Sequence, residues 1–212
     1  MPALPHPCLP SPWFDEPDPA VECLPAWHED AAPPIIWSLA GHDSGGAAGL
    51  GADARAAAAL GVHLCPVLAA VTAQNSLGVQ AVHALPAAQI REQFTALRQD
   101  MTPRVIKTGL LGSAEAIEAL LEVLAQLRES GARVDLVVDP VLGASAGGAA
   151  FCDEALLQAF RERLLPAATL VTPNRREALI LLQHLPGAQA RATLDPPALA
   201  AALRQHLAPQ AG

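Results

Sequence analysis

Leu39–Ala59 reads LAGHDSGGAAGLGADARAAAA. An apolar, strand-like run of Ile35, Ile36 and Trp37 leads into it, and the chain then turns through Gly41, Asp43, Gly45, Gly46 and Gly49. The Ala-rich remainder is a helix former. Strand, glycine turn and helix in this order is how an α/β protein presents backbone N–H groups to a ligand at a helix N-terminus. Glycine permits it by admitting positive φ and close backbone approach. The spacing is neither a Walker loop nor a clean G-x-G-x-x-G, so by itself the turn also fits a plain strand–helix connection.

Outward from this stretch, strands and helices alternate. Ile35–Ala40 reads as a buried strand, and Gly49–Leu60 as a helix closed by Gly61. Cys65–Thr72 reads as a strand with Pro66 at its start. Pro86–Arg98 reads as an amphipathic helix with Ile90, Phe94 and Leu97 on one face. Val105–Thr108 is a short strand, and Ser113–Ser130 a helix with Ser113 as N-cap and Gly131 past its end. Val134–Val138 follows as a strand, Asp153–Leu164 as a helix stopped by Pro166, and Thr169–Thr172 as a strand ended by Pro173. Arg175–Leu185 and Pro197–Leu207 are the last helices. Such alternation predicts an α/β fold, a three-layer αβα arrangement around a mostly parallel central sheet.

Ligands bind such sheets at the carboxyl ends of the strands. There the chain gathers small and polar residues: Gly41–Asp43, Gln74–Asn75, Lys107–Gly109, Asp139 and Thr172–Asn174. Residues 1–34 are crowded with proline and acidic residues and show no period of 2 or 3.6. They read as a disordered tail, in which Trp13 and Trp27 are candidates to dock on the 35–212 domain.

The bulk numbers bound the function. A chain of 212 residues fits one domain of ordinary size with a tail. It is 51% apolar but only 3% aromatic, without tyrosine, so its core rests on Ala and Leu and on close helix packing. A net charge of −8 without a basic cluster argues against nucleic acid and anionic membrane surfaces as partners. The apolar runs are too short for a membrane span, and no basic n-region with an apolar core opens the chain, so a cytoplasmic protein is expected. Cys8, Cys23, Cys65 and Cys152 are scattered without a C-x-x-C pair, which fits a reducing compartment and no zinc site.

The polar strand-end residues each admit two readings. The amide of Gln74 donates and accepts at once, and so binds a ligand or caps a turn with Asn75. Asp139, after a Val-rich strand, ligates magnesium and its water shell or caps a loop. Asn174 and Glu177 stand three apart at a helix start, on one face near its positive end, where they meet a ligand or form a capping box. Lys107 is costly to bury unpaired and needs a phosphate or an ion-pair partner. Asp53 reads by itself as a helix residue paired with Arg55 or solvent. Leu110 and Val141 read by themselves as core residues.

The strings LAGHDSGGAAGLGAD, VTAQNSLGVQ, IKTGLLGS, VVDPVLGAS and RERLLPAATLVTPNRREA occur in this order. They resemble the hydroxymethylpyrimidine/phosphomethylpyrimidine kinases of thiamine biosynthesis, in the ribokinase-like superfamily. The resemblance runs from about Ile35 to Leu185. It implies a ribokinase-like fold, transfer of the ATP γ-phosphoryl group to a pyrimidine alcohol and then to its monophosphate, ATP and Mg2+ as cofactors, and a homodimer. It places the pyrimidine on Gln74, lines the substrate pocket with Gly41 and Asp53, and sandwiches the ring between Leu110 and Val141. It assigns Asp139, Asn174, Glu177 and Lys107 to the nucleotide and magnesium region. His42 stands where the family often has Ser or Thr, within reach of a substrate phosphate.

Two family elements have no match: a K-G-G strand, and a G-T-G-C or G-T-G-D turn carrying the anion hole and general base. Gly147–Gly148 is a poor substitute, and Ser145 stands where a lysine is common. The expectation is therefore a chain truncated at the C-terminus, its catalytic base unassigned, with an exposed sheet edge that lowers solubility or calls for a partner. A truncated gene product, a half-enzyme and a catalytically inactive pyrimidine-binding or regulatory module all fit. A sugar or pyridoxal kinase of the same superfamily is a third reading, which Gln74 argues against.

Overall fold

The computed structural model describes residues 32–143, 152–183, 191 and 193–207. Trp13, Trp27, Cys8, Cys23, Ser145, Gly147, Gly148 and Leu185 lie outside them. Contacts divide the chain between Ala32 and Pro33, and the strands and helices of the described residues all belong to the second unit.

Among the described residues six strands form one mixed sheet: β1 (Ile35–Asp43), β2 (His63–Asn75), β3 (Gly78–Ala84), β4 (Val105–Thr108), β5 (Asp135–Val138) and β6 (Leu170–Val171). Their order is β3-β2-β1-β4-β5-β6. All neighbours run parallel except β3, which returns antiparallel beside β2. The helices are α1 (Gly49–Ala59), α2 (Ala87–Leu97), α3 (Ala114–Glu129), α4 (Glu154–Ala159), α5 (Leu165–Ala167), α6 (Arg175–Leu182) and α7 (Pro196–Leu207).

Strand alternation divides the residues between two faces. Trp37, Leu39, Cys65, Val67, Ile106, Leu136 and Val138 join one core with Ile90 and Phe94 of α2, Leu120, Val123 and Leu127 of α3, and Leu156 of α4. Trp37 stacks on Phe94 at 5.6 Å and donates its indole N–H to the Met101 carbonyl at 2.8 Å. Ser38 and Lys107, paired across β1 and β4, point the other way and meet Asp53 on α1. The sheet is thus covered on both faces, as the alternation predicts.

Three local expectations change. The segment after Asn75 is not a plain connection: Leu77 donates its N–H to Asn75 Oδ1 at 2.9 Å, and the chain turns back at Gly78, where φ is +152°, into β3. Pro66 lies inside β2 rather than at its start. There it pairs only with β1, because β3 covers β2 from Ala70 onward, so the missing N–H faces the open side. Pro166 does not stop the helix begun at Glu154. The chain continues through a π-helical turn, Phe160–Leu164, into α5, in whose first turn Pro166 lies.

Candidate functional site

The carboxyl ends of the parallel strands open onto a cavity of about 430 Å³. Its lining includes Gly41, Gln74, Lys107, Leu110, Asp139, Val141, Asn174 and Glu177. These residues come from well-separated segments of the sequence, brought together by the sheet order. His42, Asp43, Thr72, Val79, Gly109 and Thr172 line it as well.

The glycine turn works differently from its sequence reading. The Asp43 carboxylate, 5% exposed, accepts from the N–H groups of Gly45 at 2.8 Å, Ala47 at 3.0 Å and Ala48 at 2.9 Å. Gly46 donates to the Asp43 carbonyl. An internal anion therefore occupies the place at the α1 N-terminus that the reading offers to a ligand, and its charge suits the positive helix end. Gly49 is fixed by sterics. Its φ is +58°, and a Cβ there would overlap the Gly41 carbonyl oxygen. Gly41 in turn packs under Leu110, whose Cδ2 would lie 3.0 Å from an added Cβ.

Gln74 sits at an irregularity in β2, where the register with β3 shifts between Ala73 and Gln74. On the other side of β2, the Ser44 hydroxyl just past β1 donates to the Gln74 carbonyl at 2.7 Å and accepts the Gln74 N–H at 2.8 Å. The carboxamide approaches Thr72 Oγ1 at 3.4 Å. Asn75, not Gln74, caps the hairpin turn, and Gln74 lines the cavity.

Asp53 is not among the lining residues. It lies behind Lys107, with Nζ 3.0 Å from both carboxylate oxygens, and accepts from the fully buried Ser38 hydroxyl at 2.6 Å. Arg55 is not its partner: Arg55 donates to the Gly46 carbonyl at 2.6 Å. Lys107 thus has its ion pair and still borders the cavity.

At the far end, Asn174 caps α6 in a full capping box. Its Oδ1 accepts the Glu177 N–H at 3.0 Å, and its own N–H donates to Glu177 Oε2 at 2.8 Å. Both residues nevertheless border the cavity. Burial pushes the Asp139 carboxyl above its ordinary range; Lys107 pulls it back and Asp53 pushes it up further. Burial also raises Glu177, against the Asn174 N–H, with Asp139 adding to the rise. Two carboxyls in which the charged form is disfavoured, side by side at a cavity wall, suit a cationic ligand. Among the described residues no cluster of three His, Cys, Asp or Glu is placed to hold a metal by itself, and no helix is long and apolar enough to cross a membrane.

Two lining residues, Thr72 and Val79, carry no signal of their own in the sequence. Thr72 stands two before Gln74 on one strand, a spacing that puts both on one side. Val79 belongs to β3, a strand the sequence pattern does not announce.

A family model described as phosphomethylpyrimidine kinase matches residues 43–209. The hydroxymethylpyrimidine/phosphomethylpyrimidine kinase of Streptomyces coelicolor is 46% identical over 145 residues, which cover 68% of this chain and 52% of that protein. The chloroplastic thiamine biosynthetic bifunctional enzyme TH1 of Arabidopsis thaliana is 45% identical over 149 residues, 70% of this chain and 28% of that one. Among solved structures, phosphomethylpyrimidine kinase from Clostridium difficile 630 superposes with a TM-score of 0.62 at 32% identity, covering 75% of this chain and 68% of that one. The pyridoxal kinase from Staphylococcus aureus in complex with AMP-PCP and pyridoxal gives 0.60 at 28% identity, covering 76% and 57%. The chain spans about half the length of the curated bacterial relatives it matches. Its sheet with flanking helices is the ribokinase-like fold of these neighbours. The match over residues 43–209, reaching the strand ends that build the cavity, makes this chain a member of the phosphomethylpyrimidine kinase family.

Proposed function

We propose that this chain carries the pyrimidine site of an ATP-dependent kinase that phosphorylates 4-amino-5-hydroxymethyl-2-methylpyrimidine and then its monophosphate, in thiamine biosynthesis. The observation that carries the reading is Gln74. It lines a cavity of about 430 Å³ together with Leu110 and Val141. One amide edge matches a ring nitrogen next to an exocyclic amine, while the two apolar side chains suit the flat faces of the ring. Gly41 keeps the floor low enough for the ring to enter.

Asp139, Asn174, Glu177 and Lys107 form the polar end, which we assign to the nucleotide phosphates and Mg2+. Two carboxylates without a third protein ligand among the described residues fit a magnesium ion that shares its remaining positions with phosphate and water. When bound, the ion would neutralise charge on the transferring phosphoryl group. Lys107, held by Asp53, supplies a fixed positive charge on the same wall. Asp53 acts in this reading through Lys107 rather than on the substrate. The general base is left unassigned among the residues of this chain.

The resemblance supports a homodimer, and the cysteines without a C-x-x-C pair support a cytoplasmic setting. Leu77, 87% exposed at the β2–β3 turn, supplies apolar surface for a second copy, and sedimentation of the purified chain tests it. The activity is tested by incubating the chain with ATP, Mg2+ and the aminopyrimidine and looking for the phosphorylated products. The products should appear and vanish when Mg2+ is chelated. Pyrimidine binding without any product would reject the kinase reading for this chain while keeping the pocket.

A further inference from the structure

The cavity wall behind Gln74 contains a proton-counting problem. Thr72 Oγ1 lies 3.0 Å from the His42 carbonyl oxygen and 3.4 Å from the Gln74 position assigned to Oε1. Both neighbours are then acceptors, yet a hydroxyl has one hydrogen to give. The carbonyl cannot donate, and it is the nearer of the two, so the Thr72 hydrogen belongs to His42. The remaining contact, at 3.4 Å, is long for a hydrogen bond of either kind, so the free lone pairs of Thr72, not the distance, decide its polarity. A carboxamide can turn by half a rotation without changing its shape, and oxygen and nitrogen are told apart by the hydrogen bonds they make. With the hydroxyl hydrogen spent, Thr72 Oγ1 has only lone pairs toward Gln74, and the partner they call for is N–H.

We propose that Thr72 determines specificity by fixing the polarity of the Gln74 amide, with Nε2 donating to Thr72 Oγ1 and Oε1 turned the other way. The proposal rests on the pyrimidine reading of the cavity. Thr72 is well placed for the task. It is 4% exposed, lies in mid-sheet between Asp43 on β1 and Val82 on β3, and borders the cavity. The backbone of Gln74 is already pinned by Ser44 from both its N–H and its carbonyl. The side chain is left to settle which way its amide ends, and Thr72 sets that.

The chemical consequence is a choice between two rings of the same shape. Of the two amide hydrogens, the one directed away from Oε1 goes to Thr72. The other, together with Oε1, forms the two-point edge shown to the ligand. In this order the edge takes a ring nitrogen acceptor beside an exocyclic N–H donor, as in a 4-aminopyrimidine. A 4-oxopyrimidine, with a ring N–H beside a carbonyl, needs the reversed order. An amide free to turn serves both rings; an amide held by Thr72 serves one.

The test is calorimetric titration of the full chain with 4-amino-5-hydroxymethyl-2-methylpyrimidine and with its 4-oxo counterpart. The preference is measured in the unaltered protein and in Thr72→Val, Thr72→Ser and Gln74→Ala. Thr72→Ala serves in place of Thr72→Val should the latter not fold, as judged by circular dichroism. The unaltered chain and Thr72→Ser should favour the amino ring, and Thr72→Val should lower that preference by about tenfold or more, mainly by gaining affinity for the oxo ring. A purely structural role for Thr72 would weaken both rings alike. An unchanged preference in Thr72→Val overturns the proposal while leaving the pocket in place, provided Gln74→Ala has lost its preference. Full preference in Gln74→Ala, or no binding of either ring by the unaltered chain, overturns the pocket reading and the proposal with it.

Discussion

Lys107 and Asp53 meet behind the cavity wall, the lysine from β4 and the aspartate from α1, with Nζ equidistant at 3.0 Å from both carboxylate oxygens. The pair is partly exposed, 26% for the lysine side chain and 20% for the aspartate, so its Coulomb attraction is screened and modest. The larger consequence of breaking it falls on Ser38, whose buried hydroxyl would lose its acceptor. Asp53→Ala should cost about 1–3 kcal/mol, the penalty for an unsatisfied buried donor. Asp53→Asn should cost less, because its amide oxygen still accepts from Ser38. Urea unfolding of the two variants checks the order.

Asp43 gives a second prediction. Removing its carboxylate with Asp43→Ala frees three backbone N–H groups at once. Hydrogen bonds to a charged acceptor contribute about 1.5–3 kcal/mol each when partly buried, so the loss should be on the order of 3 kcal/mol or more. The amides of Gly45, Ala47 and Ala48 should exchange with solvent much faster in the variant. Unchanged exchange would mean that the turn does not depend on Asp43.

Gly49 and Gly46 form a matched comparison. Both have positive φ, +58° and +75°, but a Cβ at Gly46 meets nothing within 4 Å, whereas at Gly49 it overlaps the Gly41 carbonyl. Gly46→Ala should cost only the left-handed backbone penalty of about 1–2 kcal/mol. Gly49→Ala should cost clearly more, because the floor of the cavity must move. Equal losses in denaturant unfolding would contradict the packing described for Gly41.

The raised carboxyls of Asp139 and Glu177 set a pH dependence. A carboxyl whose folded pKa lies above its unfolded value holds its proton more tightly in the native state, so stability falls as pH rises from the ordinary carboxylate range through the folded value. The penalty is fully present above the folded pKa and absent well below the unfolded one. Asp139→Asn should therefore flatten this part of the stability profile and stabilise the chain at neutral pH, while weakening its response to Mg2+ and nucleotide. Thermal unfolding from the acid side of the carboxylate range up to neutrality shows whether the slope has this sign.

Much of this arrangement is legible in the sequence. The strand ends carrying Gly41, Gln74, Lys107, Asp139 and Asn174 mark where a parallel sheet gathers its polar groups, and Ser113 marks the start of α3, where its hydroxyl accepts the Ala116 N–H. Other features depend on tertiary context. Gly78–Ala84 is nowhere fully buried, so its apolar residues give no clean alternation, and neither the strand nor Val79 stands out. Pro66 argues for a strand start, but the short reach of β3 leaves a place for it inside β2. The Asp43 carboxylate is indistinguishable in sequence from a ligand-facing one, because whether a turn's N–H groups are free depends on where one side chain folds back. For Asp53 the helix position is clear, but its partner comes from a strand 54 residues away.

The most direct test of the site is a crystal structure of the chain grown with 4-amino-5-hydroxymethyl-2-methylpyrimidine. The ring should lie flat between Leu110 and Val141 with its amino group and ring nitrogen against the Gln74 amide. A ring bound elsewhere, or bound in the cavity with its nitrogen edge turned away from Gln74, would contradict the assignment.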